Sequence, residues 1–439
     1  MDVTNLILYL KSKITDQTID QQMVSKAIRL LELGAVFTAQ SFSVLPTAST
    51  SNSGQLWYVL YDGLYWSTGE YWVPIVQTSQ SVAWAWGSNG SGQLGDGTVT
   101  GRSSPVSVVG GITDWCQVDI RFSTTVALRK NGTAWAWGNN GGGPLGDNTT
   151  TARSSPVSVV GGISDWLQIS AGGQHTLARR SNGSAWAWGC NTVGQLGDNT
   201  TTSRLSPVSV VGGFSDWCQV SGGNLHSLAI RTSSGAWSWG CNNYGQLGDG
   251  TNTSRSSPVS VVGGFTDWCQ VSAGNVVTVA VRTGGSAWAW GTNYCGHLGD
   301  NSTTPKSSPV SVVGGFSDWC QVSTALNHSL AVRTNGTIWA WGANGCGRLG
   351  DGTTVAKSSP VSVVGGFTNW CQASAGRCHS VAVRNNGTVW SWGVATGGAL
   401  GDNNSISSSS PVSVVGGISD WVQVSAGLFT TVALRSKTL

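Results

Sequence analysis

The pattern Trp-x-Trp-Gly begins at Trp84 and returns at Trp135, Trp186, Trp237, Trp288, Trp339 and Trp390, a step of 51 residues every time. Leu-Gly-Asp keeps the same step from Asp96 to Asp402, and Pro-Val-Ser-Val-Val-Gly-Gly keeps it from Pro105 to Pro411. So does the Trp of Asp-Trp, from Trp115 to Trp421, with Asn369 once in place of the Asp. Seven copies fill Ala83 to Leu439 without an insertion or deletion. A strict period of this length belongs to a repeat architecture, in which each copy is one small unit that buries its apolar face only against its neighbours.

Within a copy the breaks between strands are explicit. Asp114 to Val118, Thr125 to Arg129, Ala134 to Trp137 and Pro156 to Val160 read as four short strands, with an Asn131-Gly132 turn between the second and third. Trp135 and Trp137 lie two apart and so share a face that covers the next sheet, as do Val126 and Leu128. No 3.6-residue period supports a helical solenoid. The expected fold is all-β: a seven-bladed propeller over residues 81–439 with four antiparallel strands per blade. Because the first copy begins inside a blade, Ser81 to Val109 and Trp421 to Arg435 are each expected to supply two strands of one closing blade, which leaves no sheet edge exposed.

Residues 1–80 read differently. Leu6, Ile7, Leu10 and Ile14 fall on one helical face, and after a Thr18 to Gln21 capping pattern Met23, Val24, Ala27, Leu30 and Leu31 do the same. Gln55 to Pro74 alternates aromatic and polar residues around Asp62-Gly63 and Thr68-Gly69, as small hairpins do. The expectation is a small α+β module of two short helices and aromatic hairpins, serving attachment to a larger assembly or to copies of itself.

Only 10% of the residues are charged and the formal net charge is +3, which gives no strong field for nucleic acid or for an anionic membrane surface. No apolar run approaches the roughly 18 residues that span a bilayer, and the N-terminus has no signal-peptide pattern. Cys116, Cys218, Cys269, Cys320 and Cys371 share one repeat position with Leu167 and Val422, so they read as a small buried apolar residue and not as metal ligands. No cofactor and no metal are expected.

The motifs Trp-x-Trp-Gly-x-Asn-x-x-Gly-Gln-Leu-Gly, Gln-Val-Ser-Ala-Gly-x-x-His-Ser and Leu-Ala-Val-Arg resemble the repeat of the regulator of chromosome condensation family over residues 83–439. The resemblance implies a seven-bladed propeller. The family's founding member is an intracellular guanine-nucleotide exchange factor that also docks on chromatin, and that activity is linked to a wedge-like insertion and a basic tail. This sequence has neither, since all copies are of equal length and its N-terminus is not basic.

Catalysis requires unlike groups converging at one place, and the acids of the ring do not provide them. Seven Asp belong to Leu-Gly-Asp, six to Asp-Trp, and only Asp119 occurs once. His175, His226, His328 and His379 share a position that reads as structural, and His297 alone is irregular. Arg129, Arg180, Arg231, Arg282, Arg333, Arg384 and Arg435 close the second strand in each copy, either neutralising the repeated Asp or forming a ring around an anion. No catalytic residue is expected, and the chain reads as a non-enzyme.

Comparison among the copies separates scaffold from variation. Side chains change in the loop after Trp-Gly and in the Gly-x-x-His turn, and in a four-stranded antiparallel blade both connections emerge on one rim. A constant scaffold with one diversified face reads as a recognition surface. The candidate partner-binding residues are Phe122, Tyr244, Tyr294, His297, Arg348, Arg377 and Phe429, read as exposed on that rim.

Two functions compete. The helical start and the Gln55-Leu56-Trp57-Tyr58 to Tyr71-Trp72-Val73-Pro74 stretch resemble N-terminal segments of tailed-phage, fibre-like virion proteins. That resemblance implies a virion component assembled in the host cytoplasm. It would hold other virion proteins through residues 1–80 and a host surface receptor or glycan through the variable rim. The alternative is an intracellular regulator or protein-binding propeller of the chromosome-condensation kind. Near-identical copies without a basic arm favour the virion reading.

Overall fold

The computed structural model describes residues 37–39, 56–59, 63–67, 72–77, 80–232 and 235–437. Its contacts divide the chain into two units, residues 1–80 with 437–439, and residues 81–436. In the first unit four strands, Phe37–Ala39, Leu56–Val59, Gly63–Ser67 and Trp72–Gln77, form one sheet in chain order, the first pair parallel and the others antiparallel. The helices expected over residues 1–34 lie outside the described residues.

The second unit is a ring of seven four-stranded antiparallel sheets. Blade 1 consists of the strands Trp115–Arg121, Thr124–Arg129, Ala134–Gly138 and Arg153–Ser158. Blades 2 to 6 repeat this at steps of 51, and blade 7 joins Trp421–Ala426 and Thr430–Lys437 to Gln80–Gly87 and Arg102–Ser107. Two strands from each end of the repeat region thus complete one sheet, which joins the first and last copies of the ring within a single blade.

The fourth strand starts at Arg153, not at Pro156. Gly138 pairs with Arg153 and then Ala136 pairs with Val157, so the ladder skips across the proline, which has no N–H to give it. A second irregularity corrects the cysteine expectation. Trp217 pairs with Arg231 but Gln219 with Ile230, which makes Cys218 the extra residue of a β-bulge. Cys218, Cys269, Cys320 and Cys371 are consequently exposed, Cys116 half-buried, and Val422 at the same position is 53% exposed. The Cys218 thiol donates to the Ile230 carbonyl at 3.4 Å.

Each of the seven seams between blades holds its own apolar cluster. Between blades 7 and 1, Trp137 packs with Trp115, Leu94, Ala83, Ala85 and Val432, while Val126, Leu128, Ala134 and Ala136 turn to the opposite seam and meet Trp166 and Trp188. Trp86, Trp137, Trp188, Trp239, Trp290, Trp341 and Trp392 are all fully buried. Large rigid indoles fill these seams because the short strands offer few other side chains of comparable area.

Two polar layers stitch the same seams. Gln117 donates Nε2 to the Ile169 carbonyl at 2.8 Å and accepts from the Ile169 amide at 2.9 Å. The relation recurs around the ring and closes with Gln423 and Val118 at 3.1 Å in both directions. Farther out, the carbonyl of the residue before Leu-Gly accepts from the next blade. Gln195 takes the Trp239 indole at 3.0 Å and the Ser227 hydroxyl at 2.7 Å.

Candidate functional site

Backbone bonds tie the two variable segments of each blade together. The amide of Ser88 donates to the Phe429 carbonyl, that of Cys241 to Leu225, and that of Ala343 to Asn327, each at 2.8 Å. Both segments therefore lie on one rim. The turns next to the axis are also linked from blade to blade, by Gly173 N–H to Gly223, Asn224 N–H to Gly274 and Arg377 N–H to Gly427. The backbone of this rim is a fixed platform, and the side chains standing on it are what differ.

Tyr244 of blade 3 and Tyr294 of blade 4 are 43% and 65% exposed, and their rings meet edge to face with centroids 6.4 Å apart. Arg377 is exposed, while Phe122 and Phe429 are half-buried. His297 and Arg348 depart from the expected exposure, since each retains only 6% of its surface. Both occupy the position before Leu-Gly, whose backbone is gripped by the next blade. The Arg348 carbonyl accepts the Trp392 indole and the Ser380 hydroxyl, each at 2.8 Å. So anchored, the side chain is carried down into the seam, and Arg348 Nη1 donates to the Arg377 carbonyl at 3.2 Å.

The opposite rim is uniform. Arg129 meets Asp114 at 2.8 Å and Arg282 meets Asp267 at 2.7 Å, and the position without an Asp keeps the contact, Arg384 donating to Asn369 Oδ1 at 2.7 Å. Where the loop before the blade's first strand supplies a Phe, the guanidinium also lies over its ring, as Arg231 does over Phe214 at 3.8 Å. At the start of the fourth strand, on the side of the variable rim, Arg102, Arg153, Arg204, Arg255 and Lys357 of the second basic position are held as well. Arg102 pairs with Asp96 at 2.9 Å, and burial disfavours that carboxylate, but Thr98 and Arg102 outweigh the cost and keep its pKa below the usual value. These arginines are occupied by the scaffold.

The repeated histidines are structural. His175 Nε2 meets the Thr/Ser position of the next blade, Ser227 Oγ, at 2.9 Å, and because that hydroxyl donates to Gln195, Nε2 is the donor. Burial, with the Arg121 charge adding to it, pushes the His175 pKa down to about 3. His226, His328 and His379 are likewise fully buried against Thr278, Ser380 and Thr431.

The channel at the axis was not singled out by the sequence motifs. It holds about 190 Å³ and is walled by the glutamine ring and by a second ring of Ser170, Ser221, Ser272, Ser323, Ser374 and Ser425. Asp119 takes the seventh place and bridges both neighbours, accepting from Ser170 Oγ and the Ala171 amide on one side and Ser425 Oγ on the other. Burial raises its pKa. Two residues on, Arg121 stands where five copies have Gly and one has Ala, and its Nη2 reaches across the axis to the Ala273 carbonyl of blade 4 at 2.6 Å. Burial lowers its pKa to about 10, partly offset by Asp119. The signal for this pair was in the alignment of the copies, as a double departure at one end of one strand.

A closed ring of seven four-stranded blades, stitched by one bond set repeated at 51 residues, defines a propeller that presents one varied face. The RCC1-like domain model matches residues 66–330, and models of the regulator of chromosome condensation (RCC1) repeat match residues 319–348, 335–383 and 386–434. The chain belongs to the RCC1-like family. It is 29% identical to the ultraviolet-B receptor UVR8 of Arabidopsis thaliana over 77% of this chain and 78% of the receptor. It is 27% identical to the human E3 ubiquitin-protein ligase HERC2 over 77% of this chain but only 7% of the ligase. The crystal structure of yeast Prp20p, studied for its binding to Gsp1p and histones, superposes with a TM-score of 0.73 at 20% identity, covering 82% of this chain and 92% of Prp20p, and shows the shared fold.

These relatives overturn the virion reading. A plant receptor and a human ligase are cellular proteins, so the phage-particle function and its virion location do not stand, and the virion and host-receptor partners are not shown. The loose likeness of residues 1–80 to fibre proteins misled because it rested on short aromatic hairpins, which many small sheets share.

Proposed function

We propose that this chain acts by binding proteins and not by catalysis, as the interaction propeller of a regulator, and that its partner docks on the variable rim. One observation carries the reading. On a platform whose backbone bonds recur from blade to blade, Tyr244 and Tyr294 form an exposed aromatic pair where neighbouring copies carry unlike side chains. Exposed aromatics and arginines in such a setting are the usual anchors of protein interfaces. The absence of catalysis is supported by the chemistry of the ring, in which the buried histidines and the paired aspartates are committed to the fold.

Residues 1–80 fit best as a module that joins the propeller to a larger assembly or to a second copy. Light scattering on the full chain and on residues 81–439 tests this, and equal monomeric masses without partner-dependent binding would refute it. The docking face is tested by cross-linking capture from source cells with the unaltered chain and with Tyr244→Ala/Tyr294→Ala. Loss of the captured proteins is expected, and an unchanged set would show that the working face lies elsewhere.

A further inference from the structure

Where the channel opens onto the variable rim, two arginines from different blades line one recess. Arg121 of blade 1 and Arg377 of blade 6 share it with Phe122, Leu326 and Leu428. Arg121 also lines the channel, so its guanidinium lies between channel and recess as a floor. Arg348 stands behind Arg377, bonded to its carbonyl, with its own Nε buried and unpartnered.

Among the described residues no carboxylate forms a salt bridge at this place. Among the described residues the carboxylate partners of the repeated arginines are spent on the opposite rim or in the outer loops, as Asp114 is on Arg129 and Asp96 on Arg102. The one nearby acid, Asp119, is turned to Ser170, Ala171 and Ser425. Neither Arg348 nor Arg377 forms an ion pair with a carboxylate among the described residues. Most other guanidinium groups of the ring are matched to an Asp, whereas here Arg121 and Arg377 line one recess with Arg348 behind them, and none of the three forms a salt bridge among the described residues.

We propose that the recess receives acidic side chains from a peptide segment of the protein partner, Arg377 serving as the exposed anchor and Arg121 as the floor. A guanidinium fork matches a carboxylate bidentately, and the apolar walls from Phe122, Leu326 and Leu428 exclude water that would otherwise weaken the pair. A nucleic acid is a poorer occupant. Its phosphates need a track of cations along the backbone, whereas Arg121 and Arg377 line a single recess on a chain whose net charge is only +3. The inference rests on the protein-binding reading of this rim and names the chemistry of its partner.

The test uses the full chain and three labelled probes: a hexaglutamate peptide, its hexaglutamine counterpart and a short single-stranded DNA. Fluorescence anisotropy is expected to show salt-sensitive binding of hexaglutamate, none of hexaglutamine, and a loss of about tenfold or more in Arg377→Glu. Lys306→Glu, which makes the same change in net charge at the start of an outer strand, is expected to alter binding by no more than about twofold. Absence of hexaglutamate binding, equal effects of the two variants, or equal binding of the DNA would overturn the proposal. Cross-linking capture with Arg377→Glu separates the two levels. If the variant captures the same proteins as the unaltered chain, the acidic anchor is wrong while protein binding stands, and if the unaltered chain captures none, the protein-binding reading itself falls.

Discussion

The indole Nε1 of Trp86 donates to the carbonyl oxygen of Ala399 at 3.2 Å across 313 residues of sequence. Every other seam uses this bond between adjacent copies, as Trp239 does with Gln195 across 44 residues. The ring is therefore closed by the same chemistry that builds it, and the closing blade depends on both ends being present.

Deleting Trp421 to Leu439 removes the two strands that complete blade 7 and exposes one side of Gln80–Gly87. The expected outcome is aggregation or loss of the cooperative unfolding transition, followed by light scattering and calorimetry. A truncated protein that stays monomeric and melts like the parent would contradict closure by a shared blade.

Two glycines with similar backbone angles separate strain from steric conflict. Gly401 has φ +65° and a Cβ there would lie 2.6 Å from the Trp86 Nε1, whereas Gly417 has φ +60° with nothing within 4 Å. Gly417→Ala should cost only the roughly 1–2 kcal/mol of a left-handed alanine. Gly401→Ala must also displace a packed indole, and should cost about 1–3 kcal/mol more in urea unfolding. Equal losses in the two variants would mean that the seam gives way easily.

Stability should fall in acid earlier than carboxylates alone would cause. His175 and His226 are pushed down to about 3 and His379 to about 4, in each case chiefly by burial, from an ordinary value of 6.5. Folded-state values below the unfolded value mean that, between them, the unfolded chain binds more protons. The contribution is thus complete above pH 6.5 and declines as the pH falls toward 4 and then 3, by at most about 1.4 kcal/mol per pH unit for each histidine. Melting temperatures should be level above about pH 7 and drop steadily below it, and His175→Gln should reduce the slope. A level profile down to about pH 4.5 would show that these rings protonate without cost.

Tyr244→Ala combined with Tyr294→Ala should leave the melting temperature within a degree or two, because both rings are largely exposed and neither is a member of a seam cluster. Circular dichroism melting checks this, and a fall of about 5 °C or more would reassign the pair from recognition to folding. Arg348 does not suit such an experiment, since it is buried in a seam.

The 51-residue step made the blade count, the strand order and the shared closing blade legible, because a repeat of invariant length leaves one ring geometry. What the step concealed lay at positions where backbone and side chain have separate duties. Arg348 and His297 looked like exposed variation, yet their carbonyls are fixed acceptors and their side chains go into the seam. Cys218 looked buried because its repeat position also takes Leu167 and Val422, and a bulge turned it outward. The channel pair was readable only by asking where one copy breaks a rule kept by six, as Asp119 does among the serines. Chain partners could not be read from period or composition, and there a loose likeness outside the repeats pointed the wrong way.

Order in time follows from the shared blade. Most seam bonds join residues at a short fixed separation, 52 for Gln168 with Val220, so a chain emerging from the ribosome can dock each copy on the one before it. The closing blade is the exception: its strand Gln80–Gly87 is made first in the ring, and the strand that borders it, Thr430–Lys437, is made last. Throughout synthesis of the intervening copies, Val82-Ala83-Trp84-Ala85-Trp86 has no partner on that side. This short apolar stretch is the part of the nascent chain that most needs shielding, by a chaperone or by the ribosome surface, until the final residues arrive.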